Sequence, residues 1–163
     1  MHPLRLAPLA AFLLAAPASV ETVDPFEFFS GRTENTATIK VLLKKPYRTH
    51  TVGTGRVERD GTLVMVQTVT DGTGNPPLKR NWRVRKTGPG RYVAAMSEAV
   101  GPVTIEQVGN RYRFKFNMKG KLSVEQWLVP LPGGLSARNT TKVRKMGVTV
   151  ATSDGVIHKV RGT

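Results

Sequence analysis

Arg111-Tyr112-Arg113-Phe114-Lys115-Phe116-Asn117-Met118 alternates polar and apolar residues without a break. Successive side chains of a β-strand point to opposite faces, so a strand here buries Tyr112, Phe114, Phe116 and Met118 and turns a mostly cationic face outward. Lys79 to Lys86 repeats the arrangement, with Trp82 and Val84 on one side and Arg83 and Arg85 on the other.

Outward from this segment the period stays at two. Dipeptides that tolerate positive φ punctuate it: Asp60-Gly61, Asp71-Gly72, Gly109-Asn110, Lys119-Gly120, Gly133-Gly134 and Asp154-Gly155. Strands are predicted near residues 33–44, 48–59, 62–70, 79–87, 91–98, 102–108, 111–118, 121–129, 135–145 and 148–160. The fold class is therefore all-β, a single antiparallel up-and-down β-barrel of about eight to ten strands. Gly53-Thr54-Gly55 reads as a bulge and Gly88-Pro89-Gly90 as a turn. Neither leads into an amphipathic helix that could hold a phosphate. Phe26-Glu27-Phe28-Phe29 is an aromatic cluster suited to a helical turn that plugs one barrel end.

The 163 residues fit one domain, and a core of this size needs no disulfide, which agrees with the lack of cysteine. Met1 to Ala18 combines Arg5, an apolar run from Leu6 to Ala16 and a small-x-small site at Ala16-Pro17-Ala18. This is the pattern of a secretory signal peptide. Eleven apolar residues rise only about 16 Å as a helix, too short for a hydrocarbon core of roughly 30 Å. The expected organisation is a signal over 1–18, a linker over 19–25 and a barrel domain over 26–163. The chain is expected in the periplasm, and without cysteine it has no lipoprotein attachment site. Loss of Arg5 with the signal lowers the formal charge from +14 to +13. Such an excess suits anionic partners, an anionic membrane or lipopolysaccharide surface above all, and export argues against nucleic acid.

Chemistry finds little foothold. Beyond the signal only His50 and His158 remain, in no ligand spacing, so neither a metal nor another cofactor is expected. No serine lies in a Gly-x-Ser-x-Gly elbow, and no catalytic residues are assigned. Glu98 with Glu106, or Glu58 with Glu125, are the carboxylate pairs that folding would have to bring together. Oligonucleotide binding needs aromatics and cations on one surface, whereas here they alternate to opposite faces. A transmembrane barrel would crowd Arg111, Arg113 and Lys115 into a narrow lumen, so an apolar interior is the simpler arrangement.

Phe28-Phe29-x-Gly31-Arg32, Trp82-Arg83, Gly88-Pro89-Gly90-Arg91-Tyr92, Val100-Gly101, Gly109-Asn110, Trp127, Asn139 and Lys145-Met146-Gly147 together resemble a bacterial envelope family, domain of unknown function 3833, from about Phe26 to Val160. The resemblance implies a lipocalin-like barrel with a lipid-related envelope role. Many relatives carry a lipoprotein cysteine that this chain lacks, and a carboxylate pair where this chain has Glu125-Gln126.

The leading expectation is a barrel that holds a lipid or fatty acyl chain against Trp82, Tyr112, Phe114, Phe116 and Trp127. Trp127 lies out of phase with Leu122, Val124 and Leu128. Small residues on facing strands, Ala94, Ala95 and Ala137, would leave space inside. The alternative is a filled barrel, structural or interacting, that meets anionic envelope components through Arg83, Arg85, Arg111, Arg113 and Lys115.

Overall fold

A computed structural model describes residues 22–161. The expected signal peptide and its cleavage site lie outside the described residues. Ten antiparallel strands follow one short helix: α1 (Pro25–Phe29), β1 (Gly31–Val41), β2 (Tyr47–Val57), β3 (Leu63–Asp71), β4 (Leu78–Gly88), β5 (Arg91–Met96), β6 (Ala99–Val108), β7 (Arg111–Met118), β8 (Leu122–Pro130), β9 (Ser136–Lys145) and β10 (Val148–Val160). Each strand pairs with its neighbour in sequence, and β1 pairs with β10 from Arg32↔Val160 to Val41↔Ala151, so the sheet closes into a lipocalin-like barrel.

The alternation read from β7 carries round the barrel. Leu63, Met65, Trp82, Val84, Tyr92, Ala94, Val103, Ile105, Phe114, Phe116, Val124 and Leu128 are buried in one core. Their neighbours along each strand face outward. Ala95 is one of these, exposed opposite Arg83, so of the three alanines only Ala94 and Ala137 are buried.

Two glycine readings are corrected. Gly53-Thr54-Gly55 is not a bulge, because β2 keeps its register with both β1 and β3 there. Gly55 faces inward where α1 crosses, and a Cβ on it would fall on the carbonyl oxygen of Phe29. Asp154-Gly155 is not a turn but lies inside β10. Gly155 pairs with Ala37, and a Cβ there would come within 2.5 Å of the Thr36 carbonyl oxygen and 2.6 Å of the Ala37 Cβ.

The aromatic cluster does form the plug. Asp24 caps α1 by accepting from the Phe26 N–H at 2.8 Å, and Pro25 opens the helix, where its missing N–H costs no hydrogen bond. Lys159 of β10 donates from Nζ to the carbonyls of Glu27 and Ser30, the latter at 2.7 Å, and so ties the helix C-terminus to the last strand. Among the described residues no helix is long and apolar enough to cross a membrane.

Candidate functional site

The interior encloses a cavity of about 400 Å³ that runs from α1 toward the opposite rim. Phe26, Phe29 and Tyr92 border it at the plugged end. Leu63, Met65, Trp82, Ile105, Phe114, Phe116 and Leu128 form its apolar wall, and Pro76 and Leu78 border it at the far rim. Trp82 meets Phe114 edge to face, ring centroids 6.4 Å apart, which fixes both rings against the empty space.

A second wall is polar. Thr33, Asn35, Thr51 and Gln67 on β1 to β3, with Gln126, Asn139 and Thr141 on β8 and β9, also face the cavity. Trp82 Nε1 donates to Gln67 Oε1 at 3.1 Å, and Gln126 Nε2 donates to Asn139 Oδ1 at 2.8 Å. Asn35 Oδ1 is buried with no hydrogen-bond partner among the described residues. A buried acceptor left unpaired is unfavourable, so this amide is a weak point of the inner wall. Nearer the rim, Arg80 pairs with Glu98 and both line the cavity.

The five residues expected to contact a ligand divide three ways. Trp82, Phe114 and Phe116 line the cavity. Tyr112 is buried at the plugged end instead, where its hydroxyl donates to the Val23 carbonyl at 3.0 Å and its ring meets Tyr92 at 6.3 Å. Desolvation, followed by the neighbouring Tyr92 and Asp24, pushes the Tyr112 hydroxyl up to about 12. Trp127 is corrected: it pairs with Arg113 and Thr140 on the outer face, with the Arg111 and Arg113 guanidinium carbons 4.7 and 5.6 Å from its ring centroid. The ring borders an outer hollow of about 590 Å³ together with Lys40, Glu125, Lys142 and Asp154.

Arg83, Arg85, Arg111, Arg113 and Lys115 all project outward, but they do not form one continuous patch. Two strands separate β4 from β7, which places the two groups roughly 14 Å apart at the usual strand spacing. Arg83 pairs with Glu58 at 3.2 Å, Arg113 pairs with Glu106, and Lys115 lies opposite Glu125. The carboxylate pairs raised from the sequence do not assemble: Glu98 faces the cavity, Glu106 lies outside on Arg113, Glu58 pairs with Arg83 at β4, and Glu125 borders the outer hollow on β8. Among the described residues no three His, Asp or Glu side chains gather as metal ligands.

The inward polar residues were missed in the sequence, although their phase was readable. Gln67 lies two residues after Met65, and Gln126 sits between Val124 and Leu128 at the same period, so each shares the buried face.

The profile of a family described as "Protein of unknown function (DUF3833)" matches residues 15–159. The chain belongs to this family. No curated protein matches the DUF3833 chain in sequence. Solved structures share its fold, among them these three. The S-type phycobiliprotein lyase CPES from Guillardia theta superposes with a TM-score of 0.67 at 7% identity, covering 85% of this chain and 92% of that one. Rv2717c from M. tuberculosis gives 0.60 at 13% identity, covering 85% and 99%. A protein of unknown function from the DUF3598 family of Nostoc punctiforme PCC 73102 gives 0.54 at 10% identity; the DUF3833 chain is covered to 86% and spans 50% of that longer chain. At such identities the likeness is one of fold, and the site must be read from its own residues.

Proposed function

We propose that this DUF3833 protein is a binding protein that holds one amphipathic molecule, a lipid or fatty acyl chain, inside its barrel. The single observation that carries the reading is the mixed lining of the cavity: about 400 Å³, largely aromatic and aliphatic, with amide and hydroxyl side chains gathered on β1 to β3 and on β8 and β9. Ligand pockets are typically concave, a few hundred Å³ or more, and mostly apolar with a few placed polar groups. The apolar body would lie against Trp82, Phe114 and Phe116, and a polar group would face the side chains of Gln67, Gln126 and Thr141. Export through the amino-terminal segment, as read from Met1 to Ala18, would set this activity in the periplasm.

Fatty-acid titration of the Trp127→Phe variant, followed by the emission of Trp82, tests the proposal, with mass spectrometry of small molecules extracted from protein purified from its own compartment. An acyl ligand should shift that emission and raise the melting temperature; ligand at a hundred times its Kd stabilises by about 2.7 kcal/mol. If no molecule co-purifies and no acyl chain moves either signal, the binding reading fails and a surface role takes its place.

A further inference from the structure

Three hairpin turns adjoin on the barrel rim opposite α1. Strand order places the β1–β2, β9–β10 and β7–β8 turns side by side, with Leu42 N bonded to the Val150 carbonyl and Leu122 paired with Lys145. From two of these turns Leu42, Leu43, Met146 and Val148 project into solvent, Leu43 at 98% exposure and Met146 at 88%. Single exposed apolar residues are ordinary on proteins, but four on adjoining tips are not scattered.

The turns do not explain the side chains they carry. Leu43 and Met146 hold φ values of 62° and 50°, a left-handed conformation that glycine adopts without the steric penalty. Folding alone would favour glycine at both tips. Lys121, on the third turn, is the remaining described non-glycine residue with positive φ, at 59°. All three strained positions therefore lie on one rim and expose long side chains.

Charge on these three turns has one sign, the acids of this end, Asp71 and Glu98, lying on the β3–β4 and β5–β6 turns. The segments 42–46, 118–122 and 144–149 carry Lys44, Lys45, Lys119, Lys121, Arg144 and Lys145 and no acid. None of the six forms a salt bridge among the described residues, whereas Arg83, Arg113 and Arg138 on the barrel wall are each paired. Convex apolar tips set among unpaired cations match a bilayer interface, where the tips enter the headgroup region and the cations meet phosphates. A nucleic acid would satisfy the cations but leave the leucines and methionine unused.

We propose that this rim docks the protein on an anionic phospholipid bilayer, with Leu43 and Met146 inserted and the surrounding lysines on the headgroups. The inference is independent of what the cavity holds. Co-sedimentation of the full chain with phosphatidylcholine vesicles, with and without phosphatidylglycerol, tests it. Binding should require the anionic lipid. It should weaken roughly tenfold or more in Leu43→Gly/Met146→Gly, and by as much in Lys44→Gln/Lys45→Gln. Glycine suits both turns, so thermal midpoints should hold or rise, and the amino-terminal apolar run is common to every variant and cancels. The wall variant Arg83→Gln/Arg85→Gln should change binding only a few-fold. The proposal is overturned if the full chain ignores anionic vesicles, if it binds neutral ones equally, or if the glycine variant binds undiminished. It is equally overturned if the tips prove to mediate self-association in solution without vesicle binding.

Discussion

The Tyr112 hydroxyl donates a 3.0 Å hydrogen bond to the carbonyl of Val23, joining the plugged end of β7 to the segment just before the helical plug. Burial keeps this phenol neutral in the folded chain up to about pH 12, against a reference value of 10.0. A group whose folded-state value is raised contributes stability below its unfolded value and loses it as pH climbs through the folded one. Stability should therefore fall between pH 10 and about 12, by on the order of 2 kcal/mol from this group. Tyr112→Phe should reduce that slope in denaturant titrations at stepped pH. Part should persist, because burial also raises Tyr92.

Gly55→Ala should displace α1, because the new methyl would occupy the place of the Phe29 carbonyl. A loss of about 1 to 3 kcal/mol is expected for such overpacking. Amide exchange should accelerate at Phe28 and Ser30, whose N–H groups bond within the plug, more than in the strands.

Phe114→Ala should cost about 3 to 5 kcal/mol through the deleted ring and the enlarged cavity. If an acyl chain binds, its affinity should change too. The same deletion in a solid core would alter stability alone, and calorimetric titration separates the two.

The two tryptophans should report different surfaces. Trp82 lines the cavity, and Trp127 lies outside beneath Arg111 and Arg113. Ligand-dependent emission should survive Trp127→Phe and vanish in Trp82→Phe.

Asp154→Asn should matter little. The Arg138 hydrogen bond holds the Asp154 carboxyl below its reference 3.8, but the pair is more than half exposed at 56% and 55%. A loss within about 1 kcal/mol is expected at neutral pH. Because the folded-state value is depressed, the difference should disappear as pH falls below 3.8 through that value.

Much of the architecture was legible because a barrel strand obeys a local rule. The uninterrupted alternation of β7 and the matching phase of Trp82 and Val84 assign inside and outside without reference to any other strand. Glycine was harder to read, since Gly55 and Gly155 are required by neighbours distant in sequence, Phe29 and Ala37, rather than by local φ. Trp127 shows the weight that phase deserves over hydrophobicity: its offset from Val124 and Leu128 already placed it outside, and Arg113 across the ladder gives the half-buried ring a partner. The polar wall and the cationic rim escaped for a different reason. Each exists only once closure sets β1 beside β10, bringing residues 42–45 next to 144–148.

That closure also dictates a timetable. Nine of the ten strands pair with the strand just made, so a growing chain can extend its sheet by one hairpin at a time. Until Val148–Val160 has paired, β1 and β9 are bare edges, and the Lys159 latch on α1 does not exist. The vulnerable species is a curved open ribbon able to recruit a second ribbon along either margin. A chain that stops short of β10 would therefore gain an aggregation hazard, not just lose one strand.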